Sequence, residues 1–396
     1  MNNHNKPGID RVTLIGAGTM GCYNALTAAI SGYTVTLYDA SEQSLAAVPE
    51  RQRDMANMLV GAGWCSEEDV QGAAQRTRVT SDLASACAQA DLVNESVYEE
   101  LALKQQVHAE LDALCDPSTL LTTNSSALLV SEVERQVVRR ERFAALHSHY
   151  ASPLVDIVPG TATSSDVIDR LEAYVTSLRG VPLVLKKENP GYVLNAMLGS
   201  VLGTSLAMLV EGRYNVATID ASWGKAQEAL MGPFALIDLF GLGVIRDAWL
   251  HRQREDALQA YQHAIVAQLE SMLADGSLGM QSGQGFYHYP EPAYSSETFV
   301  DNADDECAAL LQAALLAAAV TLVTDDIVSA EQVDLAWTVG MHAPWGPFTL
   351  MDKLGRDAIE LRVNMASEFG LLLPQSAVSV VGRLDGLLSN RGVVTQ

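Results

Sequence analysis

Four short stretches of this 396-residue sequence carry groups that can do chemistry, and they follow one another in a telling order. Gly16-Ala17-Gly18-Thr19-Met20-Gly21 is a glycine loop. Asn124-Ser125-Ser126 offers an amide and two hydroxyls, Leu146-His147 an imidazole, and Asn189-Pro190-Gly191-Tyr192-Val193-Leu194-Asn195 a second amide. A loop that cradles a dinucleotide, followed by hydroxyl, imidazole and amide, supplies the polar groups needed to handle a carbinol/ketone pair. Imidazole suits the proton step, because its ordinary pKa of about 6.5 lets it take and return a proton near neutrality.

The glycine loop has the flanks it needs. Arg11–Ile15 is a short apolar strand, and a helix from about Met20 to Ser31 follows, closed by Gly32. Gly16 permits the tight turn, Gly18 lets backbone approach a pyrophosphate, and Gly21 lets the helix pack on the strand. Thr19 and Met20 open the helix, where unpaired N–H groups and the dipole favour an anion. Asp39 ends the second strand, 18 residues beyond Gly21. A carboxylate there accepts from a ribose and repels a 2′-phosphate, so NAD is expected over NADP.

Strand and helix patterns alternate over residues 11–187, implying a doubly wound, mostly parallel sheet. The expected strands are Arg11–Ile15, Thr34–Asp39, Arg78–Thr80, Leu92–Val97, Leu120–Asn124 and Phe143–His147. Asp166–Arg179 has helical apolar spacing, with Gly180 as its expected C-terminal cap. After Asn189 long apolar helices take over and a repeat emerges. Asp220, Trp223, Gly232-Pro233-Phe234 and Asp238 recur as Asp334, Trp337, Gly346-Pro347-Phe348 and Asp352, always 114 residues on. The expected organisation is an α/β Rossmann-type domain over 1–187, a helical module over 188–290, a linker over 291–303 and a second copy of the module over 304–396.

The order and spacing of these motifs resemble the L-3-hydroxyacyl-CoA dehydrogenase family across roughly residues 10–290, including Gly279-Met280-Gln281-Ser282-Gly283-Gln284-Gly285-Phe286-Tyr287. The resemblance implies an all-α C-terminal region like that of 6-phosphogluconate dehydrogenase. It also implies family roles for several residues. Glu99 and Lys104 match positions beside the nicotinamide half of the cofactor, and Asn124 matches one near the nicotinamide ribose. Ser126 matches a serine that contacts the substrate oxygen. His147, 23 residues after Asn124, matches the general acid/base. Asn195 matches an amide that reaches the substrate from the second domain, so the site is expected in an interdomain cleft. Arg51 and Arg53 loosely match lysines near the nucleotide of CoA. The second helical copy resembles members with a doubled C-terminal module, which makes a monomer with an internal pseudo-dimer, or a homodimer, the expected state.

One departure stands out. The family carries a glutamate 12 residues after the histidine, where this chain has Pro159. Pro153-Leu154-Val155-Asp156 resembles the Pro-Leu-Val-Glu of gulonate- and carnitine-dehydrogenase relatives, with three residues deleted before it, and on that register Asp156 replaces the glutamate. His149, two residues from His147, would share its strand face and is a rival for the proton step.

Lys+Arg total 25 and Asp+Glu 48, a net charge of −23, which argues against nucleic-acid binding. The five cysteines are scattered with no metal-site spacing, so neither metal nor disulfide framework is expected. Met1 to Asp10 is polar, and the apolar run Cys307 to Val323 fits a buried helix better than a membrane span, so a cytoplasmic protein is expected. The expected activity is NAD-dependent interconversion of a 3-hydroxyacyl and a 3-oxoacyl thioester, carried on CoA or on an acyl carrier protein as in relatives from natural-product pathways. The alternatives are oxidation of a free 3-hydroxy acid, or NAD binding without catalysis.

Overall fold

The structure is a computed structural model that describes residues 8–252 and 255–389. Residues 1–7, most of the polar N-terminal stretch, lie outside it. The chain divides into two units. One runs to Tyr192 and takes in Asp326–Val328; the other holds Val193–Asp325 and the chain from Ser329 onward. The boundary falls five residues later than the expected 187, because Asn189-Pro190-Gly191-Tyr192 folds back as a turn of the first unit. Asp326–Val328 joins that unit through Lys186, whose backbone N–H donates to the Ile327 carbonyl and whose ammonium pairs with Asp326.

The first unit is built on a sheet of eight strands: β1 Arg11–Ile15, β2 Thr34–Tyr38, β3 Thr77–Thr80, β4 Leu92–Glu95, β5 Leu120–Thr123, β6 Phe143–Ser148, β7 Leu154–Pro159 and β8 Val181–Val184. The order is β3-β2-β1-β4-β5-β6-β7-β8. Every pairing is parallel except β6 with β7. The central strands β4 and β5 are buried at every position, as expected of a sheet covered on both faces. Six of the eight strands were expected. The other two each break a local rule. β7 carries a charge, Asp156, in mid-strand, which imidazoles on and just beyond β6 make tolerable. β8 contains Pro182, which suits an edge strand and no other.

The helix after β7 runs Ser165–Ser177, and its stop differs from expectation. Arg179, not Gly180, takes the left-handed conformation (φ 61°). Gly180 is needed for space: a Cβ there would lie 2.9 Å from Val175 Cγ1.

In the second unit the helices Leu194–Val210, Val216–Gln227, Pro233–Phe240 and Leu242–Leu250 are followed by Asp305–Thr324, Ala330–Met341, Pro347–Leu354 and Arg356–Glu368. The chemistry of the repeat is now visible. Asp220 accepts the N–H groups of Phe234 and Ala235, and Asp334 those of Phe348 and Thr349. Each aspartate thus caps a helix N-terminus from the preceding helix. Gly232 and Gly346 let it approach, since a Cβ at either would lie 2.4 Å from the aspartate. Pro233 and Pro347 sit at the first helical turn, where a missing N–H costs nothing. Residues 114 apart also touch each other. Trp223 meets Trp337 edge to face at 6.2 Å, and Ser200 donates to the carbonyl of Ala314. The helix Asp305–Thr324 is long and apolar enough to cross a membrane, yet it packs on Leu194–Val210 with most of its apolar stretch buried inside the unit.

Candidate active site

The carboxyl ends of β1, β4, β5 and β6 lie side by side, and the expected site residues of the first unit gather there. The glycine loop leaves β1 directly. A Cβ at Gly16 would lie 2.6 Å from the Ser96 carbonyl oxygen, and one at Gly21 1.8 Å from the Gly16 carbonyl oxygen. Both positions therefore exclude every side chain. Gly18 is different: beyond its own chain neighbours, no atom of the described residues lies within 4 Å of where its Cβ would be. It caps the helix Thr19–Ile30 without a side-chain bond, and no acid occupies the first turn. An open glycine before free helix N–H groups fits a pyrophosphate. Asp39 is held by the N–H groups of Ala17 (2.7 Å) and Ser41 (2.8 Å), which leaves lone pairs for a ribose. Arg51 is spent here, donating to the Ala17 carbonyl at 2.7 Å, so it braces the glycine loop. Arg53 is exposed beside Glu50 and Asp54.

His147 and Asp156 face each other as direct partners on the antiparallel strands β6 and β7. Opposed Cβ atoms on such strands stand about 5 Å apart, a gap that an aspartate spans and a glutamate overfills. His147 Nδ1 lies 2.9 Å from Asp156 Oδ2. His149 Nε2 lies 2.9 Å from the same oxygen, so the rival histidine is a second partner of one carboxylate. The three donor atoms lie within 4.8 Å, a set that could hold a metal ion, although the N···O spacings are those of hydrogen bonds. Burial is the largest influence on Asp156 and would raise its pKa. The charge of His149 and the hydrogen bonds from both imidazoles outweigh it and bring the carboxyl down to about 2. Burial, helped by His149, lowers the pKa of His147. The pair at neutral pH is thus a carboxylate and a neutral imidazole with its proton on Nδ1, leaving Nε2 as a base.

Around this pair the strand ends are cross-tied. Asn124 accepts the Ser148 N–H at 2.9 Å and so fixes the backbone beside His147. Glu99 gathers the hydroxyl of Ser125 and the N–H groups of Ser126 and Ala127 (both 3.0 Å). Ser125, not Ser126, is the turn hydroxyl; that of Ser126 stays free of protein partners among the described residues. Lys104 departs from the expected direct cofactor contact. It is 1% exposed, and its ammonium is consumed by Glu95 (2.6 Å), Glu99 (3.3 Å) and the Val97 carbonyl (3.4 Å). It acts on the site through Glu99.

Two residues were not foreseen. Glu95, fully buried at the end of β4, accepts from Lys104, His108 (3.2 Å), Thr123 (2.7 Å) and the Val97 N–H (2.7 Å). Burial pushes its pKa up, but His108 and Lys104 overcome this and hold it at about 2. Its side-chain partners lie 9 to 28 residues away on other elements, so no local pattern marks it. Tyr192 tilts over the His147 ring at 5.4 Å, delivered by the turn in which Asn189 Nδ2 donates to the Tyr192 carbonyl. Asn195 stands at the second position of the helix Leu194–Val210, in the other unit.

A dinucleotide loop and an imidazole–carboxylate pair on one edge of a parallel sheet define an NAD-dependent oxidoreductase. The particular family follows from comparison with known proteins. Residues 11–188 match the NAD-binding domain of 3-hydroxyacyl-CoA dehydrogenase, and residues 191–289 and 308–375 match its C-terminal domain. The chain belongs to this family. Human mitochondrial hydroxyacyl-coenzyme A dehydrogenase is 29% identical over 292 residues, 71% of this chain and 91% of that protein. A diketoreductase described as acting on dicarbonyl compounds is 32% identical with a TM-score of 0.66, over 71% of this chain and 99% of its own. The 3-hydroxybutyryl-CoA dehydrogenase structure from Escherichia coli shares the fold over 96% of this chain and 99% of its own, with a TM-score of 0.78 at 20% identity.

Proposed function

We propose that this enzyme interconverts a 3-hydroxyacyl and a 3-oxoacyl thioester, on CoA or on an acyl carrier protein. The observation that carries this reading is the buried His147–Asp156 pair, with Nε2 of His147 free of hydrogen bonds among the described residues. Bound NAD supplies the hydride acceptor, or as NADH the donor. In the oxidative direction His147 Nε2 takes the hydroxyl proton, and Asp156 stabilises the imidazolium that forms. In the reductive direction the same nitrogen returns it. Ser126, with a hydroxyl free among the described residues, is the residue assigned to hold the reacting oxygen, and Asn195 is a further residue assigned to the substrate. Glu99 and Asn124 line the nicotinamide side of this assignment.

Relatives named for CoA substrates favour the thioester over a free 3-hydroxy acid. The counterpart contacts of Trp223 with Trp337 and Ser200 with Ala314 support an internal pseudo-dimer. Five free cysteines support a cytoplasmic setting. NADH oxidation with acetoacetyl-CoA, run beside free acetoacetate, tests the substrate class. Thioester-dependent turnover is expected. Turnover of free acetoacetate alone would move the assignment to free hydroxy acids, and NADH binding without turnover of either, or of carrier-bound substrate, would refute catalysis.

A further inference from the structure

Asp156 is an unusual orienting group. One oxygen, Oδ2, takes both imidazole N–H groups, while Oδ1 is buried with no hydrogen-bond partner among the described residues. The terminal torsion of an aspartate has a broad, soft preference. With the His147 bond alone, nothing among the described residues would stop the carboxylate from rotating and leaving the imidazole plane. His149 supplies the second fixed point. Its ring meets that of His147 edge to face at 4.5 Å. It is itself held at the mouth of a tight loop, where its N–H donates to the Leu154 carbonyl and its carbonyl accepts from the Ser152 N–H. Ala151 takes a left-handed conformation (φ 57°) to close that loop. The short β6–β7 connection thereby does two things: it brings Asp156 directly opposite His147, and it swings a second imidazole onto the same oxygen.

We propose that His149 is a positioning residue for the reaction, locking the Asp156 carboxylate from the side opposite His147 and so fixing the orientation and tautomer of the acid/base imidazole. This rests on the assignment of His147 as acid/base. It gives His149 a role through Asp156, to which its Nε2 is committed.

Four variants and two readouts test it. His149→Phe keeps the ring and deletes the donor. His149→Asn is too short to reach Oδ2, and His149→Gln restores an N–H at similar reach. Loss of an outer orienting partner of this kind costs about 10- to 100-fold in activity. The Phe and Asn variants should lose kcat by that factor with KM for NADH unchanged, and the Gln variant should recover to within about threefold. In an Asp156→Ala background, His149→Phe should add almost nothing, since the residue acts only through Asp156. Independent effects that multiply, or an unimpaired Phe variant, would overturn the proposal. The second readout needs no substrate. In ¹⁵N-histidine NMR spectra the hydrogen-bonded Nδ1–H signal of His147 should be lost in the Phe and Asn variants and kept in Gln. An unchanged signal in the Phe variant would overturn the proposal whether or not the protein turns over a thioester. A lost signal without turnover would sustain the positioning role and refute only the substrate assignment.

Discussion

Removing the Asp156 carboxylate should cost more than exchanging it for an amide, and the geometry gives both magnitudes. In Asp156→Ala the imidazole of His147 loses its orienting acceptor and the charge that stabilises its protonated form. Loss of a comparable orienting carboxylate in a catalytic triad costs about 10⁴-fold, equivalent to about 5.5 kcal/mol of barrier. That template was measured with an asparagine, whose amide imposed the wrong tautomer. Here both imidazole N–H groups converge on Oδ2 while Oδ1 has no hydrogen-bond partner among the described residues. An asparagine can therefore turn its oxygen to both rings and its NH₂ to the empty side. It keeps two neutral hydrogen bonds, each roughly half as strong as the charged ones, and loses about 1 kcal/mol in each. Asp156→Asn should thus fall only about 10- to 10²-fold in kcat, while its stranded amide costs about 1–3 kcal/mol of stability. Asp156→Ala should fall about 10³- to 10⁴-fold. The assay is steady-state NADH oxidation with acetoacetyl-CoA, paired with denaturant unfolding. An alanine variant within tenfold of wild type, or an asparagine variant as slow as alanine, would refute the shared-oxygen argument.

Asp156→Glu, although it restores the residue of relatives, should be less active and about 1–3 kcal/mol less stable in urea unfolding, because directly opposed buried positions leave no room for a methylene. Gly18→Ala should fold with unchanged Tm yet bind NADH about 10²-fold more weakly in a fluorescence titration, whereas Gly21→Ala should fail to fold; equal behaviour of the two would refute the loop's division of labour. Glu95→Gln leaves the buried Lys104 with Glu99 as its remaining charge partner and should lose about 3 kcal/mol by denaturant unfolding. Asp156 and Glu95 both have folded pKa values near about 2, below their unfolded values of about 4, so their stabilisation is complete above pH about 4 and disappears as pH falls toward 2. Acid unfolding followed by circular dichroism should steepen in that window, and less so in Glu95→Gln. The lowered pKa of His147 places the acid limb of kcat/KM for alcohol oxidation below pH about 6.5, where a bell-shaped profile would show it.

The sequence by itself determined the dinucleotide half of this site. A strand, a tight turn, an open glycine and a helix start are consecutive residues, and their conformational demands are local: Gly16 and Gly21 exclude any side chain through contacts with backbone a few residues or one strand away. The helical repeat was equally legible, since Asp220 and Asp334 cap helices only 14 residues on. Composition and motif order also carried the family. Tertiary structure decided what depends on register between strands. That Asp156 stands directly opposite His147 follows from the antiparallel turn of β7, a strand whose central charge disguised it. That His149 reaches the same oxygen depends on the closure of the short β6–β7 loop, and that Lys104 serves Glu95 before Glu99 depends on the adjacency of β4 to the helix Leu101–Leu114. Local periodicity records which face a residue takes. It does not record which distant residue shares that face, and the chemistry of the buried carboxylates is set by that second fact.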